Sequence, residues 1–224
     1  MMIQIPRLLN QAQLEKIDEL LADAEFVDGR FSAGMAAKRV KNNLELKAEP
    51  QRKEILIRIL MSALSHNETF KSAVWPQRMA DPIFARYHPG MTYGDHVDDP
   101  IMGGPGHSFR SDVSMTIFLR EPEAYQGGEL VVRTAFGEQR VKLNKGDAVV
   151  YPSSSLHRVD PVTAGERLVA LFWIQSHVRD PARRELLFEL NQAREHLLKA
   201  DPEAEHSKLL DKSFANLVRM WADV

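Results

Sequence analysis

Cysteine is missing altogether from this chain of 224 residues. That excludes a disulfide framework, a thiolate zinc site, an iron–sulfur cluster and a cysteine nucleophile. Any bound metal has to rely on nitrogen and oxygen ligands from His, Asp and Glu. A dominant charge is missing too: 29 Lys and Arg face 31 Asp and Glu, for a net charge of −2. Polyanion binders are usually basic, so nucleic acid is not an expected partner. No stretch approaches the ~20 apolar residues of a membrane span. Residues 1–10 lack a basic region followed by a long apolar run, so no signal peptide is expected. The expectations are no membrane partner and a cytoplasmic location.

What is present fits a globular protein, with 44% hydrophobic and 27% charged residues. The length suits one domain, or a domain with a small appendage. No internal repeat is visible, and periodicity divides the chain into three parts. Residues 1–82 read as mostly helical support. Leu14, Ile17, Leu20 and Leu21 recur at helical spacing behind Asn10, a candidate N-cap. A second helix is predicted from Pro50 to about His66, with Ile55, Ile59 and Ala63 along one face and Leu56 and Leu60 beside them.

Residues 83–178 read as short strands separated by turn residues. The predicted strands are 83–88, 92–98, 112–119, 128–134, 138–143, 148–151, 157–161 and 167–175. Turns are marked by Pro89-Gly90, Gln126-Gly127-Gly128, Phe136-Gly137, Lys145-Gly146-Asp147 and Ala164-Gly165. About eight strands in this length suggest a sandwich or jelly roll. Residues 179–224 return to helix. One apolar stripe runs through Leu186, Leu187, Leu190 and Ala193, another through Leu209, Leu210, Phe214, Leu217 and Val218. These stripes are packing surfaces or a homodimer interface. The Pro- and Gly-rich stretch 100–111 reads as a long mobile loop able to cover a site.

His96-Val97-Asp98 places two metal-competent side chains at i and i+2, on one face if the segment is a strand. His157 opens a later strand. Two His and one carboxylate on one face of a metal leave three coordination positions open, which suits an Fe(II) oxygenase. Arg167 begins the apolar strand Leu168-Val169-Ala170-Leu171-Phe172-Trp173, where it can hold a carboxylate by a bidentate pair.

These segments resemble the iron- and 2-oxoglutarate-dependent dioxygenase superfamily, on its prolyl-4-hydroxylase-like branch, and most of all the bacterial PKHD-type hydroxylases. The resemblance is carried by RYHPGMTYGDHVDD, DVSMTIFL, the GGEL turn and GDAVVYPSSSLHRVDPVTAGERLVALFWIQS. It implies a mainly β fold with flanking helices, built on a double-stranded β-helix (jelly roll) core. It also implies iron ligands His96, Asp98 and His157, with Arg167 on the far carboxylate of 2-oxoglutarate. Fe(II), 2-oxoglutarate and the reductant L-ascorbate follow as cofactors, and O2 with a peptidyl-prolyl-like or small-molecule substrate as reactants. The implied reaction hydroxylates an unactivated C–H bond while 2-oxoglutarate is decarboxylated to succinate. A role in iron homeostasis is part of the same implication. Retention of Asp98 disfavours the halogenase variant, which gives up this carboxylate.

Two other readings remain at this stage: a cupin-type metalloenzyme that does not use 2-oxoglutarate, and a non-catalytic iron or 2-oxoglutarate sensor. Tyr87 is either an ordinary half-buried strand residue or, as related hydroxylases suggest, a hydrogen-bond partner of 2-oxoglutarate. Ser114 and Thr116 share a strand face that lines the site or faces solvent. Trp173 reads as core. Asp99 falls on the wrong strand face to be a ligand, and His88 and His107 read as decoys.

Overall fold

The computed structural model describes residues 1–32, 34, 35, 37–47, 49–104 and 106–224. Its elements begin with β1 (Ile3–Ile5), α1 (Gln11–Leu21), β2 (Phe26–Asp28), β3 (Lys41–Asn42), β4 (Leu44–Leu46), α2 (Pro50–Ser65), α3 (Glu68–Val74) and β5 (Pro76–Met79). There follow β6 (Ile83–Tyr87), β7 (Thr92–His96), β8 (Ile101–Met102), β9 (Phe109–Arg110), β10 (Val113–Phe118), β11 (Tyr125–Gly127), β12 (Leu130–Thr134) and β13 (Gly137–Val141). Then come β14 (Ala148–Pro152), β15 (His157–Val159), β16 (Val162–Gly165) and β17 (Arg167–Ser176), and last α4 (Pro181–Ala200) and α5 (Glu205–Trp221).

Two antiparallel sheets form the expected jelly-roll core. The major sheet runs β1-β14-β10-β17-β6-β4-β2, with β5 also paired to β17; the minor sheet runs β13-β12-β15-β7-β3. Helices α1 to α3 cover the outer face of the major sheet. Leu14, Ile17, Leu21, Leu56, Leu60, Leu64 and Phe70 bury there against Met115, Ile117, Ala170 and Phe172. A second core lies between the sheets, around Tyr87, Phe118, Leu130, Val132, Val149, Tyr151 and Val169. Strand parity sorts these layers. On β17 the even positions Leu168, Ala170, Phe172 and Ile174 meet the helices. The odd positions Arg167, Leu171 and Trp173 face the space between the sheets. Both faces of β17 are covered, which explains its unbroken apolar run from Leu168 to Ile174.

Helix α1 starts as predicted. The Asn10 side chain accepts from the Gln13 amide and the Gln13 side chain accepts from the Asn10 amide, a reciprocal cap. Helix α2 begins at Pro50, but its buried face is Leu56, Leu60 and Leu64, while Ile55 is 38% exposed. The N-terminal third also supplies five strands besides its helices, and these extend both sheets. In the stretch 100–111, β8 and β9 form a small hairpin. Its base is closed by the Ser111 amide on the Pro100 carbonyl (3.0 Å) and the Ser111 hydroxyl on the Asp99 carbonyl (2.5 Å). Pro105, within this stretch, lies outside the described residues.

Helices α4 and α5 pack on Trp75 through Leu187, Leu190, Phe214, Leu217 and Val218. Leu186 and Leu209, expected on the apolar stripes, are exposed at 44% and 53%. Among the described residues, no helix is long and apolar enough to cross a membrane.

Candidate active site

His96 is the last residue of β7 and His157 the first of β15, and the two are register partners in the minor sheet. Strand pairing therefore sets the imidazoles side by side, with ring centroids 4.2 Å apart. Each ring is oriented from behind. His96 Nδ1–H donates to the Gly94 carbonyl (2.8 Å) and His157 Nδ1–H to the Ser155 carbonyl (3.0 Å). A carbonyl can only accept, so Nδ1 carries a proton and Nε2 is the nitrogen turned toward the site. Burial, reinforced by the neighbouring His157, pushes the His96 pKa down to about 4, so the ring is neutral and ready to ligate. Tyr93 stacks flat on His96 at 3.6 Å, and Tyr151 meets His157 edge-on. Behind Tyr93 sits a buried ion pair, in which Lys41 donates to Glu45 (2.5 Å) and to the Ser32 hydroxyl (2.9 Å).

Asp98 lies beyond the end of β7, not within it as predicted. Its carboxylate nonetheless reaches both rings: Oδ1 is 3.8 Å from His96 Nε2 and Oδ2 is 3.8 Å from His157 Nε2. One donor atom from each of the three residues lies within 4.8 Å of the others. A set of two imidazole nitrogens and one carboxylate suits a divalent transition metal and leaves it a net positive charge. Asp99 is exposed and stands apart from this cluster, because the chain has left the strand before reaching it.

Arg167 opens β17 opposite Tyr87 of β6. It is 1% exposed, and its Nε and Nη1 atoms have no hydrogen-bond partner. No carboxylate among the described residues forms an ion pair with it. The ring faces of Tyr87 and Phe118 lie 4.9 Å and 5.9 Å from it, and the buried Tyr125 hydroxyl is a further neutral neighbour. A buried guanidinium without a counter-charge is costly, so this position suits an anionic ligand. Tyr87 is fully buried and its hydroxyl accepts from Asn43 Nδ2 (3.1 Å). Burial also raises its pKa, so it stays protonated.

These groups face one narrow inner chamber, about 30 Å³, lined also by Ser114, Thr116 and Trp173. It adjoins an outer vestibule of about 650 Å³ that shares Tyr93, His96, Asp98, Leu171 and Trp173. Trp173 thus lines both cavities and is only half-buried, where core packing was predicted. Ile101, Met102, His107 and Phe109 of the 100–111 stretch wall the vestibule.

Sequence reasoning missed Asn43 and Gly128. Gly128 has φ +69°, and a Cβ there would stand 2.9 Å from Val162, 3.0 Å from Arg167 Cδ and 3.2 Å from Tyr125. The GGEL motif held the signal, since paired glycines before a strand mark a close approach.

Comparison with known proteins agrees with this geometry. The family model described as the 2OG-Fe(II) oxygenase superfamily matches residues 82–175. A PKHD-type hydroxylase of Thioalkalivibrio sulfidiphilus is 55% identical over 224 residues, the whole of both chains. One of Synechococcus elongatus is 45% identical over 223 residues, again end to end. The crystal structure of a Pseudomonas putida prolyl-4-hydroxylase shares the fold, with a TM-score of 0.52 and 20% identity, covering 78% of this chain and 92% of that one. The chain therefore belongs to the PKHD-type hydroxylases of the 2OG-Fe(II) oxygenase superfamily, dioxygenases whose family chemistry uses Fe(II) and 2-oxoglutarate.

Proposed function

We propose that His96, Asp98 and His157 hold the iron, that Arg167 pairs with the far carboxylate of 2-oxoglutarate, and that Tyr87 donates a hydrogen bond to the same end. One observation carries this reading: a buried guanidinium, with no ion-pair partner among the described residues and with Nε and Nη1 unpaired, faces the chamber that also holds the three donor side chains. A cupin-type metal site without a dicarboxylate co-substrate has no use for such a cation. When bound, the ferrous ion supplies the O2 activation that couples decarboxylation of 2-oxoglutarate to succinate with hydroxylation of an unactivated C–H bond.

The chain's own residues bind, orient and exclude water. The backbone carbonyls of Gly94 and Ser155 fix which histidine nitrogen faces the metal. Tyr87 and Arg167, register partners on neighbouring strands, receive the anion at the closed end of the chamber. The chamber as it stands has room for about two waters. Its lining side chains therefore move apart when a five-carbon diacid enters. The vestibule admits the primary substrate, a peptidyl-prolyl-like segment or a small molecule.

The proposal extends to ascorbate as the reductant, a role in iron homeostasis, a cytoplasmic location, and no nucleic-acid or membrane partner. It includes a homodimer paired through the exposed Leu186 and Leu209, which sedimentation equilibrium checks. Growth of a deletion strain under iron limitation checks the physiological role.

The decisive experiment is anaerobic loading with Fe(II) and 2-oxoglutarate, followed by O2. Slow succinate formation is expected even without substrate. Arg167→Ala should weaken 2-oxoglutarate binding about 30-fold or more, the cost of losing one partner of a buried charge pair, with iron retained. His157→Ala should lose iron. An iron-loaded protein that neither binds nor consumes 2-oxoglutarate would overturn the proposal.

A further inference from the structure

Asp98 is the least constrained of the three donor residues by its backbone. It follows the last ladder residue of β7, and its neighbours Val97 and Asp99 are exposed. Its side chain is nevertheless buried. One contact explains the difference. The Ser114 hydroxyl, on β10 of the opposite sheet, lies 2.5 Å from Asp98 Oδ2. Ser114 in turn lies 2.8 Å from the hydroxyl of Ser153, and both serines are almost fully buried.

The direction of this chain is dictated by chemistry. An ionised carboxylate can only accept, so the Ser114 proton points to Asp98. Ser114 Oγ must then accept from Ser153. Ser153 is itself anchored, its amide donating to the Asp112 carbonyl (3.1 Å). That carbonyl also receives Arg184 Nη2 of α4 (3.4 Å). Each hydroxyl polarises the next, and the charged end makes the terminal bond strong.

We infer that Ser114 and Ser153 are positioning residues for the metal site. They hold the Asp98 carboxylate by Oδ2 and leave Oδ1 as the oxygen that ligates, so that Asp98 binds through one oxygen. The hydrogen bond also ties the two sheets together across the chamber, since Asp98 follows a minor-sheet strand and Ser114 belongs to the major sheet. A carboxylate free to turn would offer both oxygens and take up a position needed by the co-substrate. The inference rests on the assignment of His96, Asp98 and His157 as the metal ligands.

The test uses the full chain, with Co(II) as a redox-stable spectroscopic probe of the site. Apparent Co(II) affinity, the visible ligand-field spectrum and the metal-free Tm are measured for wild type, Ser114→Ala, Ser114→Thr, Ser153→Ala and His157→Ala. Ser114→Ala should bind Co(II) about 10- to 100-fold more weakly, the usual cost of losing a hydrogen bond to a ligand. Its spectrum should change as the carboxylate turns. Ser114→Thr, which keeps the hydroxyl, should recover most of the affinity and the wild-type spectrum. Ser153→Ala should lose less than Ser114→Ala, and a protein carrying both Ser114→Ala and Ser153→Ala, measured beside them, no more than Ser114→Ala alone, because Ser153 acts only through Ser114.

Two results overturn the inference while leaving the metal assignment intact. One is a Ser114→Ala protein with wild-type affinity and spectrum, beside a His157→Ala protein that has lost Co(II). The other is a loss of affinity that Thr fails to restore and that matches a fall in metal-free Tm, which marks Ser114 as packing only. Failure of wild type itself to bind Co(II) overturns the metal assignment, and the inference with it.

Discussion

Arg167 is a buried cation with no counter-ion among the described residues, and it carries the most direct consequence of the site. Its guanidinium gains about 1–2 kcal/mol from the faces of Tyr87 and Phe118. Removing such a charge from water costs several kcal/mol. The metal-free, co-substrate-free protein therefore carries a deficit that an anion removes. Arg167→Met, of similar length and without charge, should raise the Tm of the empty protein while abolishing 2-oxoglutarate binding. A gain of about 1–3 kcal/mol corresponds to some 2–4 °C for each kcal/mol in a chain of this size. Calorimetry on the two proteins decides it, and a Tm equal to or below wild type would show that Arg167 already has its compensation. The arginine was legible in the sequence because a charged residue that opens an apolar strand is conspicuous, while His96 and His157 were legible only through the His-x-Asp spacing and the family resemblance. Asn43 and Ser153 were not. Their partners, Tyr87 and Ser114, lie 44 and 39 positions away in the chain, and only tertiary folding brings them together.

At the scale of elements, the site depends on how strands end and turns bend. Asp98 was placed on the predicted strand by parity, and the ladder in fact stops at His96. The carboxylate still meets the two imidazoles because Ser114, not strand geometry, holds it. The short strands β1 to β5 went unseen for a related reason. Two to four residues hold too little periodicity to outweigh the helical patterns around them. The strongly periodic elements α1 and α2 were read with accurate starts, but the buried face of α2 was rotated from Ile55 to Leu56. Adjacent apolar residues at 55–56 and 59–60 allow either stripe, and only packing against the major sheet chooses between them. The turn between β11 and β12 carries a sharper consequence. Gly128 combines a left-handed backbone with contact to Arg167 Cδ, so Gly128→Ala adds backbone strain to overpacking. A loss of about 2–4 kcal/mol is expected in urea unfolding, together with weaker 2-oxoglutarate binding because the added methyl pushes Arg167 aside. Unchanged 2-oxoglutarate affinity in a folded Gly128→Ala protein would show that Arg167 is held without the turn.

Across the whole molecule, the chamber is where the two sheets meet, and each contributes a different part of the chemistry. The minor sheet brings His96 and His157, while the major sheet brings Arg167, Tyr87 and Ser114. A metal bound by one sheet and a diacid bound by the other should therefore act on the same packing interface, and a diacid that touches both should bind cooperatively with the metal. Ligands that bind only the folded state stabilise it by about 2.7 kcal/mol at one hundred times their Kd. In a chain of this size that raises Tm by about 5–11 °C. Mn(II), which does not turn over, isolates the effect from oxidation. Mn(II) alone should raise Tm, 2-oxoglutarate alone should raise it little, and the two together should exceed the sum. His157→Ala should erase both responses, because the diacid loses the metal end of its bridge. Arg167→Met should keep the response to Mn(II) and lose the response to 2-oxoglutarate. Equal shifts by 2-oxoglutarate with and without Mn(II) would mean that the diacid touches only the Arg167 side, and that the two sheets are not joined by their ligands.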